Sequence, residues 1–159
     1  MSDELIELRY GLDSFCTDWR HCSLGSDFLA DTVFRTQQSK QLASAAINEV
    51  LELAFRLGAK ASKSWVQTTV APGQLMALAL DLKVKPERAS EVGAEVPFFC
   101  SDPVGYYETQ LGQNAPGIFF GLGYLVADIQ AVVTLVLEND LLQVRATLPL
   151  RTAAPEGMQ

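Results

Sequence analysis

Ile47-Asn48-Glu49-Val50-Leu51-Glu52-Leu53-Ala54-Phe55-Arg56 is the stretch on which the fold turns. It lies late in a run where Leu42, Ala46, Val50, Leu53, Ala54 and Leu57 recur at spacings of three and four. That spacing predicts a helix over about 39–57 with one apolar stripe. Gly58 is the expected stop, because glycine readily takes the backbone angles that end a helix. Glu49 flanks the stripe one turn before Leu53, on nearly the same face. A carboxylate there is either a hydrated helix-face residue or, when buried beside a reacting hydroxyl, a general base.

Working outward, residues 4–10 alternate apolar and polar side chains, as an opening strand does. A short helix is expected within 12–22, and another from Ser26 to about Phe34. After the long helix, strands are expected at about 64–70 and 74–82, joined by a turn at Ala71-Pro72-Gly73. A helix can start at Pro86, with Gly93 and Pro97 limiting it. Another begins near Pro103 and carries Tyr106, Tyr107 and Leu111. The segment Gly117 to Gly123 leads into a helix of about 122–130. Strands 131–138 and 141–150 close the chain around Glu138-Asn139-Asp140, and the residues after Arg151 fray. This order predicts an α+β fold, a two-layer sandwich with helices on one face of a mixed, mainly antiparallel sheet.

The chain has 159 residues, which fits a single domain over 1–150 followed by a tail at 151–159. Nearly half of its residues are apolar and under a fifth are charged, the balance of a packed globule. A net charge of −7 repels phosphate backbones and anionic lipid, so neither nucleic acid nor membrane is an expected partner. Cys16, Cys22 and Cys100 are odd in number and irregularly spaced, which argues against a disulfide framework. Neither a secretory signal nor a membrane-spanning run is visible, so the cytoplasm is the expected compartment. Cys16, His21 and Cys22 lack the spaced pairs of a zinc site, and no metal site is expected. Trp19, Trp65, Phe98 and Phe99 are expected in core or edge packing.

Three stretches, in order, resemble the histidine-kinase-like (GHKL, or Bergerat-fold) ATPases. The first is Asn48 to Arg56, similar to the family's N-box. The second, Gly117-Ile118-Phe119-Phe120-Gly121-Leu122-Gly123-Tyr124-Leu125-Val126, is similar to its glycine segment. The third, Val144-Arg145-Ala146-Thr147-Leu148-Pro149-Leu150, is similar to its terminal strand. The resemblance covers roughly residues 5–150. It is closest to small bacterial regulators related to anti-sigma-factor serine kinases, the SiaB-like group. Two further stretches support that subgroup, Leu24 to Asp31 and Ser101-Asp102-Pro103 leading to Tyr107 and Leu111.

The resemblance implies a nucleotide site of Asn48, Glu49, Gly121 and Gly123, with Glu49 as the catalytic base. It also shows where this chain departs from the pattern. Leu53 occupies the position of the magnesium-binding Asn, and a hard cation needs oxygen ligands. Arg56 replaces Lys, and Leu142 falls near a family Thr. No Asp-x-Gly-x-Gly is present for the adenine; Asp102-Pro103-Val104-Gly105 is the nearest fragment.

The expected function is therefore a bacterial signalling regulator of the partner-switching type, built on a degenerate ATPase domain. It would act by binding a small regulatory protein, a STAS-like or SiaC-like antagonist, with no cofactor; a homodimer is left open. The first alternative is an active protein serine/threonine kinase using ATP and magnesium. The second is a small-ligand sensor whose apolar pocket is made by Leu53, Phe119, Phe120 and Leu142.

Overall fold

The computed structural model describes residues 6–11, 37–59, 65–71 and 75–149. The helices expected within 12–22 and 26–34, the turn at 72–73 and the tail at 151–159 lie outside the described residues, as do Cys16, Trp19, His21 and Cys22. Five strands are described: β1 (Ile6–Gly11), β2 (Trp65–Ala71), β3 (Leu75–Lys83), β4 (Val132–Glu138) and β5 (Leu141–Pro149). They form one sheet in the order β1-β2-β3-β5-β4. Every pairing is antiparallel. Among the described strands the sheet is therefore wholly antiparallel, where a mixed, mainly antiparallel one was expected. The tight β4–β5 connection folds β5 back between β3 and β4, so those two strands run the same way without touching. Asn139, in that turn, adopts a left-handed φ of 57°, which asparagine tolerates better than most residues.

Burial alternates along the closing strands. Met76, Leu78, Leu80 and Leu82 of β3 are buried, as are Val133 and Leu135 of β4, while Leu142, Val144, Ala146 and Leu148 line β5. The intervening residues turn outward, Ala77, Asp81, Thr134, Arg145 and Thr147 among them. One face of this part of the sheet therefore carries the core, and the α+β architecture follows from covering it with helices.

The main cover is α1 (Gln37–Leu57). Ala46, Val50, Leu53, Ala54 and Leu57 are sealed from solvent, and Leu42 packs at the margin. Ala43, Ile47 and Leu51 are also buried, so the stripe is broader than its spacing suggested. Gly58 closes the helix by packing tightly: a Cβ there would meet the Ala54 carbonyl oxygen at 2.6 Å and Leu82 Cδ1 at 2.9 Å. The helix end is tied to β3 by Ala59 N–H donating to the Lys83 carbonyl and Lys85 N–H donating to that of Leu57.

A single 3₁₀ turn, Pro86–Arg88, leads into α2 (Ala89–Ser101). This helix runs through Gly93 and Pro97, which had been expected to limit it. Proline has no N–H for the Gly93 carbonyl, a local loss. Val92 and Phe99, both wholly buried on either side of Pro97, hold the helix across it. Next, α3 (Pro103–Gln110) starts at the expected proline, and the Asp102 carboxylate caps it by accepting from Gly105 N–H at 3.0 Å. Leu111 falls just beyond this helix and is 53% exposed. The last helix, α4 (Phe120–Ile129), starts two residues earlier than expected. It ends at Gln130 in the left-handed region, where Ala131 N–H reaches back to the Leu125 carbonyl.

Candidate functional site

The helical period of α1 puts Asn48, Glu52 and Arg56 on the side away from the core stripe, with Glu49 at the stripe's edge. They form one wall of an open cleft of about 540 Å3, whose other wall is Gly117, Phe120, Gly121 and Tyr124. Two of the sequence-expected segments, far apart in the chain, therefore meet in one place. The contact is close: the Glu49 carboxyl occupies the space where a Cβ on Gly121 would sit. Gly121 lies in the first turn of α4 and is the residue that admits Glu49.

Burial is the main cause that raises the Glu49 pKa above its ordinary value, and the neighbouring Glu52 charge adds to it. Arg56 opposes both without cancelling them. Removing a carboxylate from water disfavours its charged form, and a like charge one turn away does the same. Asn48 joins the same wall, its Nδ2 donating to Glu52 Oε2 at 2.8 Å. Its own Oδ1 is buried without a hydrogen-bond partner. Arg56 lies along the helix, with Nε donating to the Glu52 carbonyl at 3.4 Å.

The second wall is held by residues that sequence reasoning gave no role there. Tyr106, wholly buried, donates its hydroxyl to Glu95 Oε1 at 2.6 Å and accepts from Phe119 N–H at 3.2 Å. Burial pushes its pKa up, and the bond to Glu95 pushes it further. Gln110 Oε1 accepts from Gly117 N–H at 2.9 Å. Together these bonds fix the segment leading into α4. Phe120 stacks on Tyr107 with ring centroids 4.9 Å apart, and the Tyr107 hydroxyl donates to Asp128 Oδ2 at 3.3 Å. An isolated tyrosine or glutamine carries no pattern that announces such a partner.

Not every expected site residue reaches the cleft. Gly123 is inside α4, with its N–H bonded to the Phe119 carbonyl at 3.0 Å. A Cβ there would lie 2.9 Å from Tyr107 Cβ, so its smallness serves the packing of α4 on α3. Gly121 and Gly123, expected together in the nucleotide site, are thus parted: Gly121 lines the cleft and Gly123 packs on α3. Leu53, Phe119 and Leu142 are in the core with exposures of 1%, 0% and 0%. Of the four residues expected to make an apolar pocket, only Phe120 lines this cleft. Phe99 is buried as expected, whereas Phe98 is 47% exposed with its ring edge-on to Tyr106. The Trp65 side chain lies outside the described residues.

Among the described residues, no three His, Cys, Asp or Glu side chains converge to hold a metal ion, and no helix is long and apolar enough to cross a membrane. No protein-family model matches the chain, and a search of curated proteins gives no match.

Proposed function

We propose that this chain is a signalling regulator that works by binding a small partner protein on a degenerate histidine-kinase-like ATPase domain. One observation carries the reading. Glu49 and Gly121, from the two segments that resemble the N-box and the glycine segment, meet across one cleft, while position 53 points into the core as a leucine. The site keeps a carboxylate at Glu49, and leucine at position 53 offers no oxygen where the resembling family holds magnesium. A base with nothing to act on leaves the surface as the working part. In the resembling group that surface meets a STAS-like or SiaC-like antagonist, and such a protein is the proposed partner, in a bacterial partner-switching pathway.

The test is a thermal melt with magnesium-ATP. A ligand that binds only the native state adds RT ln(1 + [L]/Kd), about 2.7 kcal/mol at a hundredfold excess over Kd. For a chain of this size that raises Tm by several degrees. A working site of about 50 μM affinity would show plainly at about 5 mM ATP. We expect no shift. A shift of several degrees that magnesium and inorganic phosphate do not reproduce would replace this reading with the kinase one.

The kinase is kept as a second reading because the cleft is open and lined by Glu49 and Glu52 together. In that reading Glu52 supplies the oxygen ligand that Leu53 cannot. Loss of phosphate transfer to a purified partner on Glu49→Gln would favour it.

A further inference from the structure

The two walls of the cleft differ in a way that selects a ligand. On α1, Glu49 and Glu52 present carboxylates, and Asn48 keeps a buried acceptor oxygen without a donor. Among the described residues the ion pairs are Lys83–Asp140, Arg88–Glu91 and Arg145–Asp81, and neither cleft carboxylate takes part in one. Arg56 lines the same wall and its charge is felt by Glu49, but its Nε is turned to a backbone carbonyl of its own helix, and two carboxylates against one guanidinium leave a place for a second cation. On α4, Phe120 and Tyr124 offer aromatic rings, and Phe120 is braced from behind by the stacked Tyr107. Carboxylate on one side and aromatic faces on the other both favour a cation, by independent physics: charge pairing and the ring quadrupole.

Resting on the protein-binding reading above, we propose that this cleft receives a basic side chain of the partner, arginine in preference to lysine. A guanidinium is planar, donates through several N–H groups at once and stacks on an aromatic face, whereas an ammonium does not stack. A cavity of about 540 Å3 accommodates the guanidinium and its stem, since binding clefts of roughly 300–1,000 Å3 hold groups of this size or larger. The net charge of −7 steers a basic partner towards the surface and weakens that steering as salt rises.

The experiment is an NMR titration of the full chain with acetyl-Gly-Arg-Gly-amide, compared with the citrulline and lysine peptides of the same length. Citrulline keeps the shape of arginine and removes the charge. The arginine peptide is expected to move the amides of Asn48, Glu52 and Gly121 saturably, and to bind about tenfold tighter than citrulline, a difference of about 1.4 kcal/mol. Lysine should fall between them. Glu52→Gln should weaken arginine binding several-fold, and Glu49→Gln provides a second variant whose neutral side chain suits its burial. Equal binding of arginine and citrulline, shifts elsewhere on the chain, or no effect of either variant would each overturn the proposal. A separate binding measurement keeps the two readings apart. A purified partner that binds wild type and a chain carrying both Glu49→Gln and Glu52→Gln equally would sink the basic-side-chain inference and leave partner binding standing. Arginine-selective binding with no small regulatory partner retained by the wild-type chain would support the cleft inference and count against partner switching.

Discussion

On one side of α1, Val50, Leu53, Ala54 and Leu57 are sealed against the sheet; on the other, Asn48, Glu49, Glu52 and Arg56 border an open cleft. Adjacent residues thus meet opposite surroundings. The core side is filled, and each leucine there contributes about 1.5–3 kcal/mol by leaving water. The cleft side has a partly buried carboxylate held near a like charge, which costs stability. Core faces are built to lower free energy, and a face that raises it is where a binding role is worth seeking. Leu53 and Glu49, one turn apart, stand on either side of that boundary.

The largest effect that could break this comparison is at Leu53. Leu53→Ala should cost about 2–5 kcal/mol in denaturant unfolding, and Leu53→Asn a comparable amount without creating magnesium-ATP binding. A loss below about 0.5 kcal/mol, the range of ordinary surface sites, would place position 53 on the wrong side of the boundary.

The two α4 glycines sharpen the same contrast. At Gly123 a new methyl group would meet Tyr107 Cβ at 2.9 Å and its Cα at 3.4 Å, atoms fixed to the backbone. Gly123→Ala should therefore cost about 1–3 kcal/mol, the usual range for overpacking. At Gly121 the obstacle is the end of the Glu49 side chain, which can move. Gly121→Ala should cost less than Gly123→Ala. In a Glu49→Ala background it should become stabilising, by up to about 1 kcal/mol from helix propensity. A double-mutant cycle by thermal melts measures the coupling, and no coupling would mean the Glu49–Gly121 contact is not made in solution.

Tyr106 holds the cleft's second wall from below. Tyr106→Phe should cost about 1–3 kcal/mol, because the buried Phe119 N–H and the half-buried Glu95 both lose a partner. Stability and the amide exchange rate at Phe119 would check it together.

The smallest effect is the pH dependence contributed by Glu49. Its pKa is higher folded than the ordinary 4.5, so over that interval the native chain binds more protons than the unfolded one. Stability from this group is therefore greatest below about 4.5 and is lost as pH rises through the raised folded value. Glu49→Gln should be flatter with pH and more stable than wild type at neutral pH, when the two are followed by urea unfolding from pH 4 to pH 8. Equal slopes for the two proteins would show that Glu49 is solvated like a surface carboxylate.

Among the described residues, local signals alone determined α1, the order of strands and helices, and the closing hairpin, because apolar spacing of three and four or of two is a local property that burial on one face enforces. They also determined that Leu53 is core. Where they erred, a distant contact overruled a local signal: Val92 and Phe99 carry α2 through Pro97, and α4 starts early enough to take in Gly121, whose neighbour is Glu49 and not that of Gly123. Which strands pair, and that β5 separates β4 from β3, is not a local property either. The same holds for the cleft. Glu49, Glu52 and Arg56 were visible on one helix face, but their meeting with Phe120, Gly121 and Tyr124, and the Tyr106–Glu95 bond that fixes that wall, were decided only when the chain folded back on itself. A sequence states what each residue prefers; the pKa of a carboxylate and the shape of a cleft depend on which other residues stand beside it.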